Sequence, residues 1–294
     1  MKIVGVVGCG AMGSGMVKNL LKHQYRVVTY DPDLEKQTQM KELGAQPVSH
    51  FTEMGEHLDY LLLSLPASEL IKETIIGREG ILPRLKKGAA ILDMSTTDVH
   101  VTKELFETCK EAGVNFFDCP VSNGPQGAQE GTLTIMTGGD SDRFEEILPI
   151  LQAIGKEIHY VGSSGSGQVV KLCNNMVVAG ITLLMSEALH IAGKVGVDPQ
   201  KMMKIMQKSS AENKVMYVFG PNIIEQSHEK VVFMLNHMQK DVDLFFRLTK
   251  SERAGTLLSP LIRSIFAEAQ KKGWGHLDMT AVSCILRDLD DQEE

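Results

Sequence analysis

Along the first half of the chain, short runs of β-branched and aliphatic residues alternate with stretches whose apolar positions recur at helical spacing. The runs Ile3–Val7, Arg26–Tyr30, Tyr60–Ser64, Ala89–Asp93 and Asn115–Asp118 predict buried strands of a few residues each. The amphipathic stretches Gly13–His23, Pro32–Leu43 and Thr102–Ala112 predict helices between them. Such alternation implies βαβ units, and hence a doubly wound, mostly parallel sheet with right-handed crossovers. Leu133–Thr137 and Ile158–Val161 are two further strand candidates.

Beyond a Gly/Ser cluster at Gly162–Gly167 the strand signals nearly vanish. Val169–Lys194 reads as one long, largely apolar helix ended near Gly196 and Asp198-Pro199. Met202–Lys208, Met238–Ser251, Leu258–Lys272 and Met279–Leu289 are also helical in period. The expected organisation is an α/β domain over 1–163 and a helical domain over 164–294. Met202, Met203 and Met206 fall at helical spacing and are read as packing. The acidic end from Asp288 to Glu294 is read as a frayed tail.

Composition narrows the function classes. Hydrophobic residues make up 43% of the 294 and charged residues 23%, ordinary globular usage, and a net charge of -7 argues against a nucleic-acid footprint. The five cysteines, Cys9, Cys109, Cys119, Cys173 and Cys284, lack C-x-x-C spacing. That argues against a disulfide framework or metal site and fits a cytoplasmic, reducing environment. Met1-Lys2 followed by an apolar stretch mimics a signal peptide, but Ile3–Val7 is short and runs into glycines. No membrane span is expected.

The first strand runs into Gly8-Cys9-Gly10-Ala11-Met12-Gly13 and a helix follows at once. In that context Gly8 makes the tight turn, Gly10 admits a diphosphate and Gly13 allows close helix–strand packing. The second strand ends at Asp31, where an acid is expected to bind the adenosine ribose and to repel a 2′-phosphate. That favours NAD over NADP. Read locally, Asp31 is also a helix N-cap before Pro32. A protein kinase is excluded, since no H-R-D loop or D-F-G occurs.

Three segments carry the remaining chemistry. Asp118-Cys119-Pro120-Val121-Ser122-Asn123-Gly124 ends a strand with a hydroxyl, an amide and free N–H groups, which suits a carboxylate, or is an ordinary Asn-Gly turn. Lys171 and Asn175 are i and i+4 at the start of the long helix, so they share a face. A lysine removed from water loses its proton more readily and can act as general acid or base; the alternative is a surface lysine. Lys240-Asp241, read alone, is a charged pair on a solvated face.

Together these segments resemble the β-hydroxyacid dehydrogenases, the family of 3-hydroxyisobutyrate dehydrogenase, tartronate semialdehyde reductase and 2-(hydroxymethyl)glutarate dehydrogenase. The resemblance spans nearly the whole chain. It rests on G-C-G-A-M-G-S-G-M-V-K-N-L, D-M-S-T at Asp93–Thr96, D-C-P-V-S-N-G with G-T-L-T-I-M, G-S-G-Q-V-V-K-L-C-N-N and H-M-Q-K-D. It implies an N-terminal α/β Rossmann domain and an all-α C-terminal domain joined by a long helix, in dimers or tetramers, with a catalytic lysine at Lys171, a substrate-carboxylate loop at Ser122, Asn123 and Gly124, and a substrate-side amide at Asn175. Thr96 and the Leu65-Pro66 turn match groups near the nicotinamide ribose, and Lys240 matches a lysine that closes over cofactor and substrate.

Two positions depart from the family pattern. Asn123 replaces the middle glycine of Ser-Gly-Gly and adds a side chain where substrate is expected; Val99 replaces a proline. The resemblance implies reversible hydride transfer between NAD and a small 3-hydroxy acid or its semialdehyde. Succinic semialdehyde reduction is an alternative substrate reading. Imine reduction and a non-catalytic dinucleotide-binding module both fit poorly with Lys171. A decarboxylating sugar-phosphate dehydrogenase generally carries a longer helical domain and Arg in place of Asp31.

Overall fold

The apolar runs become strands because each can bury both of its faces. The computed structural model describes the backbone of residues 1–293 and the side chains of residues 1–290. Its first half runs β1 (Ile3–Val7), α1 (Ala11–Lys22), β2 (Arg26–Tyr30), α2 (Leu34–Glu42), β3 (Gln46–Pro47), β4 (Tyr60–Leu63), α3 (Ser68–Ile76), β5 (Ala90–Asp93) and α4 (Val99–Glu111). It continues through β6 (Asn115–Asp118), β7 (Val121–Ser122), α5 (Gly124–Glu130), β8 (Leu133–Gly138), α6 (Phe144–Ile154) and β9 (Gly155–Gly162). The described strands form one sheet in the order β3-β2-β1-β4-β5-β6-β8-β7, with β9 beside β8. Pairing is parallel from β3 to β6, and β8 is antiparallel to β6 and β7.

Alternate residues of β1, β2, β4, β5 and β6 feed two cores. Val4, Val6, Leu62, Leu92 and Phe117 pack with Met16, Val17 and Leu20 of α1. Leu61, Leu63, Ile91 and Phe116 pack with Ile71 and Ile75 of α3 and Leu105 of α4 on the other side. Each such buried side chain contributes about 1.5–3 kcal/mol.

The chain divides into two compact units, Met1–Lys171 and Leu172–Glu294, and the division falls inside α7 (Ser166–Lys194). It lies past the Gly/Ser cluster because the first turn of α7 is bonded to the end of β6. Asp118 accepts the Gly165 and Gln168 N–H groups at 2.8 and 3.0 Å. A negative charge at a helix start is favourable there. Gly167 is required for this approach, since a Cβ would stand 2.3 Å from the Met136 carbonyl oxygen.

The second unit holds the rest of α7 with α8 (Pro199–Met206), α9 (Lys214–Glu225), α10 (Leu235–Ser251), α11 (Ser259–Lys271) and α12 (Cys284–Glu293). Its core includes Met176, Met185, Met203, Phe219, Met238, Val242 and Phe266, with Met202 and Met206 packed against it. By length and composition α7 alone among the described residues could cross a membrane. It nonetheless contributes Met176, Ala179, Met185 and Leu189 to this core. The acidic end is not a loose tail up to the last described residues. Asp288 pairs with Lys272 at 2.8 Å, and Asp290 with Lys194 at 2.6 Å and His190 at 3.0 Å, so α12 is clasped by charges. Glu294 lies outside the described residues.

Candidate active site

β1 lies between β2 and β4, so crossovers diverge from its end and leave the crevice where open α/β sheets take ligands. Gly8 has φ +91°, and its Cβ would stand 2.2 Å from the Ser64 carbonyl oxygen. Only glycine can turn there. A Cβ on Gly13 would lie 1.9 Å from the Gly8 carbonyl oxygen, which sets how closely α1 starts against the strand. Gly10 differs, with nothing within 4 Å of where its Cβ would be. It is the N-cap of α1, makes no side-chain cap bond, and is followed by a first turn without acidic residues. Ala11 is exposed and Met12 half-buried. An uncapped helix start beside open space fits the diphosphate of a dinucleotide.

Asp31 does not cap α2. The cap is Asp33, which accepts the Glu35 N–H at 2.9 Å. The buried Asp31 carboxylate instead accepts the Cys9 N–H at 2.7 Å and the Asp33 N–H at 3.0 Å, with Lys36 Nζ 3.7 Å away. It thereby ties the glycine loop to the end of β2. A carboxylate has about four acceptor directions, so capacity remains for ribose hydroxyls. Cys9 is inert by the same geometry, because burial, and then the charge of Asp31, push its thiol up to about 12.

The loops after β4 and β5 are bonded to each other. Leu65 N–H donates to Ser95 Oγ at 2.9 Å, and Pro66 follows it, exposed. The half-buried Thr96 is held on both sides by Asp93, which accepts the Ser95 N–H at 3.0 Å and the Thr97 hydroxyl at 2.6 Å. Val99 opens α4 behind the Asp98 cap, a position where proline is equally at home, so the departure leaves the helix start intact.

Asp93 pairs in register with Asp118, and neither side chain reaches solvent. Burial raises both carboxyls, that of Asp93 to about 6 despite its bonds from Thr97 and Ser95. A folded-state value above the ordinary one favours the protonated form. The contribution is therefore full below about pH 4 and is lost as pH rises through about 6. Asp93→Asn, which stays neutral, is expected to gain thermal stability relative to the wild type as pH rises from about 4 to about 7, by up to about 3 kcal/mol. Melting curves across that range check it; a difference that does not change with pH would contradict it.

Ser122 ends β7 half-buried, and Asn123 and Gly124 follow with φ +84° and +59°. The Asn123 side chain, expected in the substrate's space, turns back on its own loop. Its amide donates to the Thr132 carbonyl at 3.0 Å and the Thr134 hydroxyl at 3.3 Å. The left-handed backbone that suits glycine is also tolerated by asparagine, and these bonds brace it. The helix after this loop is fastened to the helix after the glycine loop. Asn19 donates to the Ala128 carbonyl at 2.8 Å, and Gly15 leaves room for the α5 backbone.

Lys171 is buried in α7, 8% exposed, which removes the surface-lysine alternative. One turn before it, Gln168 accepts the Thr97 N–H and donates to the Ser95 carbonyl, both at 3.0 Å. A chain of hydrogen bonds thus joins Leu65, the loop holding Thr96, and the helix of Lys171 within the first unit. The Ser122–Gly124 loop is bonded to β8. In the second unit, Asn175 donates to Asp241 Oδ2 at 2.6 Å, and Lys240 Nζ is 3.2 Å from Asp241 Oδ1. Asp241 is 2% exposed, so this pair does not lie on a solvated face.

Sequence reasoning missed Asp93, Asp118, Gln168 and Asp241 as members of these networks. The available signals were acids ending two apolar strands, and polar residues beside Lys171 and Lys240 in the motifs.

Two family descriptions match the chain: the NAD binding domain of 6-phosphogluconate dehydrogenase over residues 3–162, and the NAD-binding domain of NADP-dependent 3-hydroxyisobutyrate dehydrogenase over 165–286. The chain is 34% identical to the mitochondrial 3-hydroxyisobutyrate dehydrogenase of Mus musculus over 293 residues, covering 97% of this chain and 87% of that one. It is 32% identical to 2-(hydroxymethyl)glutarate dehydrogenase of Eubacterium barkeri, covering 95% and 93%. The solved structure of a Mycobacterium tuberculosis 3-hydroxyisobutyrate dehydrogenase with L-serine superposes with a TM-score of 0.90 at 25% identity, covering 98% and 99%.

Proposed function

The chain belongs to the β-hydroxyacid dehydrogenase family, and from that premise we propose reversible hydride transfer between NAD and a small 3-hydroxy acid or its semialdehyde, with Lys171 as general acid and base. As a member it is a pyridine-nucleotide oxidoreductase of hydroxyacids. The observation that carries the finer reading is a lysine buried on α7, one turn after the Gln168 amide that bonds α7 to the loop of Thr96. Burial disfavours the charged amine, the condition under which a lysine accepts a proton near neutrality.

When bound, the nicotinamide accepts or returns the hydride. In oxidation, neutral Lys171 takes the proton from the substrate hydroxyl as the carbon–hydrogen bond breaks and the carbonyl forms. In reduction, the protonated lysine gives it to the developing alkoxide. Ser122, Asn123 and Gly124 are assigned to the substrate carboxylate, and Asn175 to the substrate hydroxyl side. Gly8, Gly10, Ala11, Met12 and Gly13 are assigned to the diphosphate, Asp31 to the adenosine ribose, and Leu65, Pro66, Thr96 and Lys240 to the nicotinamide end. Fixing the carboxylate so that the reacting carbon faces the ring supplies several kcal/mol of the barrier.

Initial rates on a panel of 3-hydroxy acids and semialdehydes, with NAD and NADP in parallel, test the reading. NAD is expected to be preferred by about tenfold or more, since the buried Asp31 bonds ribose hydroxyls and repels a 2′-phosphate. Preference for NADP would remove the assignment of Asp31. A self-associated state is also proposed. Val177, Leu184 and Ile191 stand a heptad apart on α7 and are 59%, 64% and 61% exposed, an apolar stripe of the kind a second copy covers. The mass in solution decides between monomer and homodimer or homotetramer.

A further inference from the structure

We propose that Gln168 is a positioning residue that sets Lys171 against the loop of Thr96, an inference that rests on Lys171 being the acid–base group. The Gln168 side chain is fully buried and contacts no solvent. Its amide carbonyl accepts the Thr97 N–H, its amide nitrogen donates to the Ser95 carbonyl, and its backbone N–H donates to Asp118. The two loop groups flank Thr96 in sequence and demand opposite partners, one an acceptor and the other a donor. A primary amide supplies both at every pH, whereas a carboxyl of the same length does so only when protonated, because an ionised carboxylate would oppose the Ser95 oxygen.

Filling that volume does not require polarity, because Asp118 already fastens the start of α7 through the backbone. What the amide adds is register. Gln168 and Lys171 are i and i+3 on one helix face, so any slide or rotation of α7 against the loop displaces the lysine amine with it. A misplacement of about 1 Å costs about a hundredfold in rate. Two carboxylates bond the residues that hold the amide: Asp118 accepts the Gln168 backbone N–H, and Asp93 accepts the Thr97 hydroxyl and the Ser95 N–H.

The test compares kcat and KM of the wild type, Gln168→Met, Gln168→Glu and Lys171→Ala between about pH 6 and about pH 9. Gln168→Met keeps the volume and loses both bonds. Its kcat is expected to fall about 30- to 100-fold at every pH, with KM and NADH affinity within about threefold of the wild type. Gln168→Glu is expected to match it at the alkaline end. On protonation its carboxyl donates to Ser95 and accepts from Thr97, and kcat relative to the wild type recovers at least about tenfold toward pH 6. A role confined to folding would give no such acid rescue.

A Gln168→Met enzyme that keeps more than about a third of wild-type kcat overturns the inference, as does a Gln168→Glu ratio that stays low down to about pH 6. If Gln168→Met does not fold, the acid rescue of Gln168→Glu still decides. Wild-type turnover by Lys171→Ala sinks the acid–base assignment and this inference with it. An inactive Lys171→Ala beside an unaffected Gln168→Met sinks this inference alone.

Discussion

Lys171→Ala is expected to lower kcat by about a hundred- to ten-thousand-fold while leaving NADH affinity near that of the wild type. The amine is the one group on the first unit's stretch of α7 that is both buried and able to exchange a proton with a hydroxyl. Truncation removes the proton acceptor without touching the glycine loop, so chemistry and cofactor binding separate. Lys171→Arg should be nearly as poor. A guanidinium stays protonated at any working pH and cannot serve as the base. Stopped-flow single turnovers, alongside NADH fluorescence titration, separate the two effects. Turnover that survives the loss of the amine would mean that another group moves the proton.

The second large effect comes from two glycines of one loop, and the expected outcomes are opposite. Gly8→Ala places a methyl 2.2 Å from a backbone oxygen at φ +91°, so the chain must move or strain. The expected loss is about 2–4 kcal/mol of stability, seen as a melting point lower by roughly 5–12 °C. Gly10→Ala meets nothing within 4 Å, and its φ of −65° suits any residue. Stability should therefore hold within about 0.5 kcal/mol. The methyl projects into the space assigned to the diphosphate, however, and NADH affinity is expected to fall about tenfold or more. Gly10→Ala binding NADH as tightly as the wild type would move the diphosphate elsewhere.

Some elements were legible because their local pattern and tertiary role coincide. β1, β2 and β6 are apolar runs with one solution, burial inside a mostly parallel sheet, and their ends match the structure residue for residue. Other elements were hidden by their own composition. α6 and α9 carry Pro149 and Pro221 inside the helix, which breaks the pattern that marks a helix in sequence. β3 and β7 have two residues each, too few to carry a period. The start of α12 was legible in the helical period of Met279–Leu289, but its end from Asp288 looked like an acidic tail because the partners of Asp288 and Asp290, namely Lys272, Lys194 and His190, lie elsewhere in the sequence.

The candidate site divides along the same line. The glycine loop, Asp31, Lys171 and Asn175 were visible because backbone geometry or spacing along one segment sets their requirements. By itself the sequence determined the strand–helix alternation, the nucleotide-loop glycines and the candidate chemistry, since each depends on neighbours within a turn or a strand. Only the tertiary structure decided that Asp31 braces Cys9 and that Asn123 turns back onto Thr134 of β8 and Thr132 just before it. It alone buried Asp241 and tied Gln168 to Ser95 and Thr97. Those outcomes depend on which distant group meets each polar atom once water is excluded, and a buried donor or acceptor left alone costs about 1–3 kcal/mol.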